Sequence, residues 1–102
     1  MAFDKFAAFR TANDAAVAAR TLLDEGQPLS RVWRFAVLQL LDDYSMVLRH
    51  RGLQAAAGMW AEAPERADDL RVDAALAALA EHLARRDGWQ VPAWTRDPER
   101  EA

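Results

Sequence analysis

Cysteine is absent from the 102 residues. That excludes a disulfide scaffold and every cysteine-based zinc, iron–sulfur or nucleophile site. Isoleucine is absent too, and the β-branched residues amount to six valines and three threonines; strands favour the opposite mix. The four glycines stand singly at positions 26, 52, 58 and 88, so no glycine-rich loop is present to cradle a phosphate. Serine and threonine are few (Thr11, Thr21, Ser30, Ser45 and Thr95) and none carries a nucleophile signature. No apolar run approaches the roughly 20 residues that span a bilayer. The first residues lack the apolar core of a signal peptide, so the expected compartment is the cytoplasm. Basic charge is not in excess either: 13 Lys+Arg face 16 Asp+Glu, for a formal charge of -3. That balance disfavours a protein that coats nucleic acid by neutralising phosphates.

What is present is alanine, with 23 copies, and arginine, with twelve against a single lysine. Alanine is the best helix former and brings little packing volume; the arginine skew beside it is the mark of a GC-rich genome. The chain reads as one all-α domain over residues 1–98: a compact bundle of three main helices, one short helix and an extended C-terminal strap. Residues 99–102 are expected to be a loose tail.

The first helix is expected from about Phe3 to Glu25, ending at Gly26. Phe9, Ala12, Ala16, Ala19 and Leu23 recur at helical spacing, whereas Phe3 and Phe6 sit off that line. Either the stripe drifts, or the helix restarts at a cap such as Asn13. The second helix is expected from about Leu29 to Arg51 with Ser30 as N-cap. At 100° per residue, Leu29, Trp33, Ala36, Val37, Leu40, Leu41, Tyr44, Val47 and Leu48 fall in one arc of about 140°. Gly52 suits a left-handed cap, with Leu53 folding back on Leu48. A short third helix is expected from about Leu53 to Ala63. The fourth follows a cap at Asp68 or Asp69 and runs to Asp87, with a seam of Val72, Leu76, Leu79 and Leu83. Gly88 ends it and returns Trp89 to the seam. Pro92 and Pro98 then forbid a regular helix, leaving a strap anchored by Trp94. The expected core is Trp33, Val37, Leu40, Tyr44, Leu76, Leu79 and Leu83.

Catalytic constellations are thin. His50 lies between Arg49 and Arg51 at a helix end. His82 follows Glu81, but ligands on a helix converge at i, i+3 or i, i+4 spacing, and positions 78 and 86 are alanine and arginine. Asp42-Asp43 is the best carboxylate pair, on a polar face with Arg31, Arg34, Arg49 and Ser45. No metal, cofactor or catalytic residue is expected. The anomaly lies on the same helix. Phe35, Leu38 and Met46 project within about 80° of one another into the arginine stripe. Apolar residues ringed by arginine make a partner surface, unless the strap around Trp94 or the segment with Met59 and Trp60 covers them. The expected partner-binding residues are thus Arg31, Arg34, Phe35, Leu38, Met46, Arg49 and Trp94.

The segment from Ala74 to Pro98, AALAALAEHLARRDGWQVPAWTRDP, resembles the end of certain small actinobacterial proteins. In them an alanine-leucine helix leads through a glycine turn into a Pro-Ala-Trp strap. The matching positions are Leu76, Leu79, Ala80, Leu83, Gly88, Pro92, Ala93 and Trp94, within about a quarter of the chain. Proteins of that kind are associated with helix-turn-helix regulators and toxin–antitoxin loci. This chain has no recognisable DNA-reading helix-turn-helix ahead of the segment, so the resemblance implies partner binding. Three functions are therefore open: a non-enzymatic protein-binding domain, antitoxin-like or a regulatory partner protein, that docks on a protein or on itself; a small DNA-binding regulator using Arg31, Arg34, Arg49 and Arg51; and an enzyme of unknown class.

Overall fold

A computed structural model describes residues 10–67 and 69–98. Its elements are all helical: α1 (Ala12–Asp24), α2 (Leu29–Val32), a π-helical turn (Trp33–Val37), α3 (Leu38–Arg51), α4 (Leu53–Gly58), α5 (Leu70–Asp87) and a 3₁₀ turn (Ala93–Arg96). The all-α bundle read from the sequence is what forms. Phe3, Phe6, Phe9, Asp68 and the tail from 99 lie outside the described residues.

Helix α1 does not run through Arg10. It begins at Ala12 because Thr11 and Asp14 close a capping box: the Asp14 amide donates to Thr11 Oγ1 at 3.1 Å and the Thr11 amide to Asp14 Oδ2 at 3.0 Å. The cap is Thr11, two residues before the expected Asn13. Behind it Ala12, Ala15, Ala16 and Ala19 are all buried. Methyl-sized side chains let α1 lie close on the central helix and α5.

Residues 29–51 form one unbroken helical stretch, with Pro28 rather than Ser30 at its N-terminus; the amides of Arg31 and Val32 donate to the Pro28 carbonyl. The π turn changes its phase. Counted along a regular helix, Val32 points about 80° from Leu40 and Trp33 about 20°. A π turn holds one more residue than an α turn. Taking that residue out of the count brings Val32 to about 20° of Leu40 and pushes Trp33 out to about 120°. Val32 is accordingly 0% exposed and Trp33 only half-buried. Trp33 therefore borders the core instead of centring it. Leu79 is half-buried likewise, whereas Val37, Leu40, Tyr44, Leu76 and Leu83 are buried as expected.

The connection after α3 also differs from expectation. Gly52 adopts φ 92, ψ 179, a region that is essentially glycine's alone, and not the left-handed cap. Its amide donates to Val47 and its carbonyl accepts from Ala56, so one residue ends α3 and opens α4. Leu53 is thus the first residue of α4 and exposed, not a return contact on Leu48. α4 stops at Gly58, short of Ala63, as Met59 and Trp60 turn inward. The Met59 carbonyl accepts from the Ala12 amide at 2.8 Å.

Asp69 caps α5 through the Arg71 amide. Gly88, at φ 88, ψ 32, ends it in a Schellman turn in which the Trp89 amide reaches the Ala84 carbonyl at 3.0 Å. The segment expected to be an extended strap winds one 3₁₀ turn between Pro92 and Asp97, held by Thr95 Oγ1 donating to the Pro92 carbonyl. It packs against α5.

Candidate docking face

No described element covers the outer side of the central helix. Phe35 is 48% exposed, Leu38 53% and Met46 39%. Neither the C-terminal turn nor the Met59–Trp60 segment lies over them: Met59 and Trp60 are buried in the core, and the 3₁₀ turn sits on α5. Phe35, inside the π turn, and Leu38 and Met46, beyond it, stand along about 16 Å of the central helix. The guanidiniums of Arg31 and Arg34 lie 6.0 and 5.6 Å from the centre of the Phe35 ring. Each such contact contributes about 0.5–1 kcal/mol at an exposed site, and the two steady the ring against solvent. Arg49 and Asp42 are exposed on the same helix. Six of the seven expected partner-binding residues thus belong to one exposed helix.

Trp94 is the exception. Its indole N–H donates to the Trp60 carbonyl at 2.8 Å and its ring packs on the core. It fastens the C-terminal turn to the bundle instead of sharing the arginine-lined face.

The carboxylate pair does not converge. Asp42 is exposed, but Asp43 is buried, accepting from the Arg10 amide and from Gln39 Nε2, both at 2.9 Å. Oδ2 of Asp43 thereby ties the chain before α1 to α3, while its Oδ1 is held by Gln39 within α3. His50 is exposed in the last turn of α3. His82 is exposed on α5, in a shallow depression lined only by residues of that helix. Among the described residues no three His, Asp or Glu side chains are placed to hold a metal ion, and no helix is long and apolar enough to cross a membrane. A groove of about 360 Å³ lies between α4 and the segment after Gly88, lined by Ala57, Gly58, Trp89, Val91 and Pro92 among others, with Gln90 its one polar side chain.

Two polar clusters escaped the reading of the sequence. Asp73, 1% exposed, accepts from the buried Ala67 amide at 2.9 Å and from Arg66 Nε at 3.1 Å, and so folds the loop before α5 back onto it. Tyr44 Oη donates to Asp87 Oδ2 and accepts from Trp89 Nε1. Burial and the Asp87 carboxylate push the Tyr44 phenol up to about 12. The Arg86 guanidinium first, and the Tyr44 hydroxyl second, hold the Asp87 carboxyl below its ordinary value. The available signal was an acid on an apolar arc. Asp73 lies beside Val72 and about 60° from Leu76, where a carboxylate is tolerated only with partners.

No known protein family matches the chain, and neither a curated protein nor a solved structure is significantly similar to it.

Proposed function

We propose that the chain is a non-enzymatic protein-binding domain of the cytoplasm that docks through the outer face of its central helix. One observation carries the reading: Phe35, Leu38 and Met46 all remain exposed on the central helix, while the neighbouring described elements pack elsewhere. Exposed apolar side chains grouped within a polar rim are characteristic of protein interfaces. The thin chemistry of the groove and the solvated histidines support binding over catalysis. The resemblance of residues 74–98 to proteins of toxin–antitoxin loci agrees with a partner-binding role.

The test is paired affinity capture with the wild-type chain and Phe35→Asp as baits. Phe35 is half exposed, so the variant is expected to stay folded by circular dichroism. A partner held by the wild type and lost by the folded variant supports the reading. Equal retention by both baits sinks it, as does unfolding of Phe35→Asp and Leu38→Asp alike, which would make the face core.

A further inference from the structure

We propose that the partner seated on this face is an acidic amphipathic helix of another protein, presenting apolar side chains at i, i+3/i+4 and i+7 and bordered by aspartate or glutamate. The inference rests on the reading of the face as a docking surface and names what docks there. Charge carries it. Of the arginines off the face, four find carboxylates within the chain, Arg66 with Asp73 at 3.1 Å, Arg71 with Asp69 at 2.8 Å, Arg85 with Glu81 at 2.6 Å and Arg86 with Asp87 at 2.9 Å, while Arg10 and Arg96 stand singly, outside any cluster, without an ion pair among the described residues. Arg31, Arg34 and Arg49, on the face, make no ion pair among the described residues. Arg31 and Arg34 rest on Phe35 instead. The chain as a whole carries -3, so this arginine stripe opposes the sign of the remaining molecule. Asp42 is the one exposed carboxylate on this helix, against the three arginines of the face, so the remaining carboxylates that would complete the stripe come from a partner.

A second copy does not supply them. Antiparallel pairing that sets Phe35 against Met46 brings Arg31 of one copy to the Arg49 end of the other. Parallel pairing sets each arginine against itself. Both arrangements juxtapose like charges. A nucleic-acid backbone would satisfy the guanidiniums yet leave Phe35, Leu38 and Met46 without apolar contacts, since phosphate binding draws on charge. A helix with an apolar stripe and acidic borders satisfies both, and the span from Phe35 to Met46, about 16 Å, matches roughly three turns of it.

The experiment titrates the isotope-labelled full chain with three probes: a synthetic amphipathic helix with leucines at i, i+3, i+4 and i+7 flanked by glutamate, the same peptide with lysine for glutamate, and a mixed-sequence DNA duplex. The glutamate peptide is expected to shift the NMR signals of Phe35, Leu38 and Met46, with affinity that weakens as salt rises. Arg31→Gln with Arg34→Gln should weaken it at least about tenfold, the loss of two charged contacts, while unfolding stays cooperative. Equal binding of the lysine peptide, absence of binding by the glutamate peptide, or perturbation of the face by DNA alone overturns the proposal. So does a concentration-dependent dimer in light scattering that Phe35→Asp abolishes; that result would leave the face a docking surface and only its acidic partner refuted. The paired capture with Phe35→Asp decides the docking face separately.

Discussion

Tyr44 Oη donates to Asp87 Oδ2 at 2.6 Å, joining the middle of α3 to the last residue of α5 across 43 positions of sequence. Trp89 Nε1 donates to the same hydroxyl at 2.9 Å, so the Schellman turn after Asp87 is fixed to α3 as well. Tyr44→Phe removes a hydrogen bond to a charged acceptor and strands the Trp89 donor, a loss of about 1.5–3 kcal/mol. Urea unfolding of both proteins at neutral pH checks it. The pH dependence follows from the directions of the two shifts. The folded carboxyl of Asp87 is depressed, so its contribution is present above the unfolded value near 3.9 and is lost as pH falls through the lower folded value. The folded phenol of Tyr44 is raised to about 12; its contribution is whole below the unfolded value near 10 and is lost as pH rises through the folded one. The gap between wild type and Tyr44→Phe should therefore narrow at both extremes.

Most of the bundle was legible because its punctuation is chemical. Gly26, Gly52 and Gly88 all take positive φ and each ends a helix. The apolar arc through Leu40, Tyr44 and Val47 needed only a regular count. What periodicity could not supply was the π turn, which shifts everything before it by one residue and exchanges the places of Val32 and Trp33. Nor could it supply pairing between distant elements. Asp43 reads as the edge of a polar face until the Arg10 amide is found against it. The exposure of Phe35, Leu38 and Met46 was readable as a direction, but whether another element covered them depended on where the C-terminal turn would lie.

Asp73 fixes the loop before α5. Its removal leaves the Ala67 amide buried without an acceptor and Arg66 without its carboxylate. Asp73→Ala should cost about 1–3 kcal/mol, the penalty of a buried amide left without its acceptor. Asp73→Asn, which keeps an oxygen for the amide, should cost less. Chemical denaturation of both variants gives the order, and equal losses would assign the whole effect to the Arg66 charge pair.

Gly52 and Gly58 make an internal control for backbone strain. A Cβ at either meets nothing within 4 Å, so sterics with neighbours do not separate them. Only Gly52 holds a positive φ. Gly52→Ala should destabilise by about 1–3 kcal/mol. Gly58→Ala, at the end of α4, should be neutral or stabilise by about 0.4–1 kcal/mol by restricting the unfolded chain. Thermal unfolding midpoints of the pair test the contrast.

The π turn is in effect a one-residue insertion in the central helix, and that can be tested by removing one residue. Without Arg34, a regular α-helix places Val32 about 20° and Leu29 about 80° from Leu40, which are the directions the core already accepts: Val32 is buried and Leu29 packs partly against it. Arg34 itself is exposed, so its loss vacates no core volume. The Arg34 deletion should therefore fold and unfold cooperatively, with helical content by circular dichroism close to that of the wild type. Deletion of Ser45 is the control. Ser45 is also exposed, but it lies in the regular α3, where one missing residue turns everything beyond it by about 100°. Val47 would leave the core and the approach to Gly52 would shift, so that variant should fail to fold cooperatively. If both deletions behave alike, the phase shift at Trp33–Val37 is not what carries Val32 into the core.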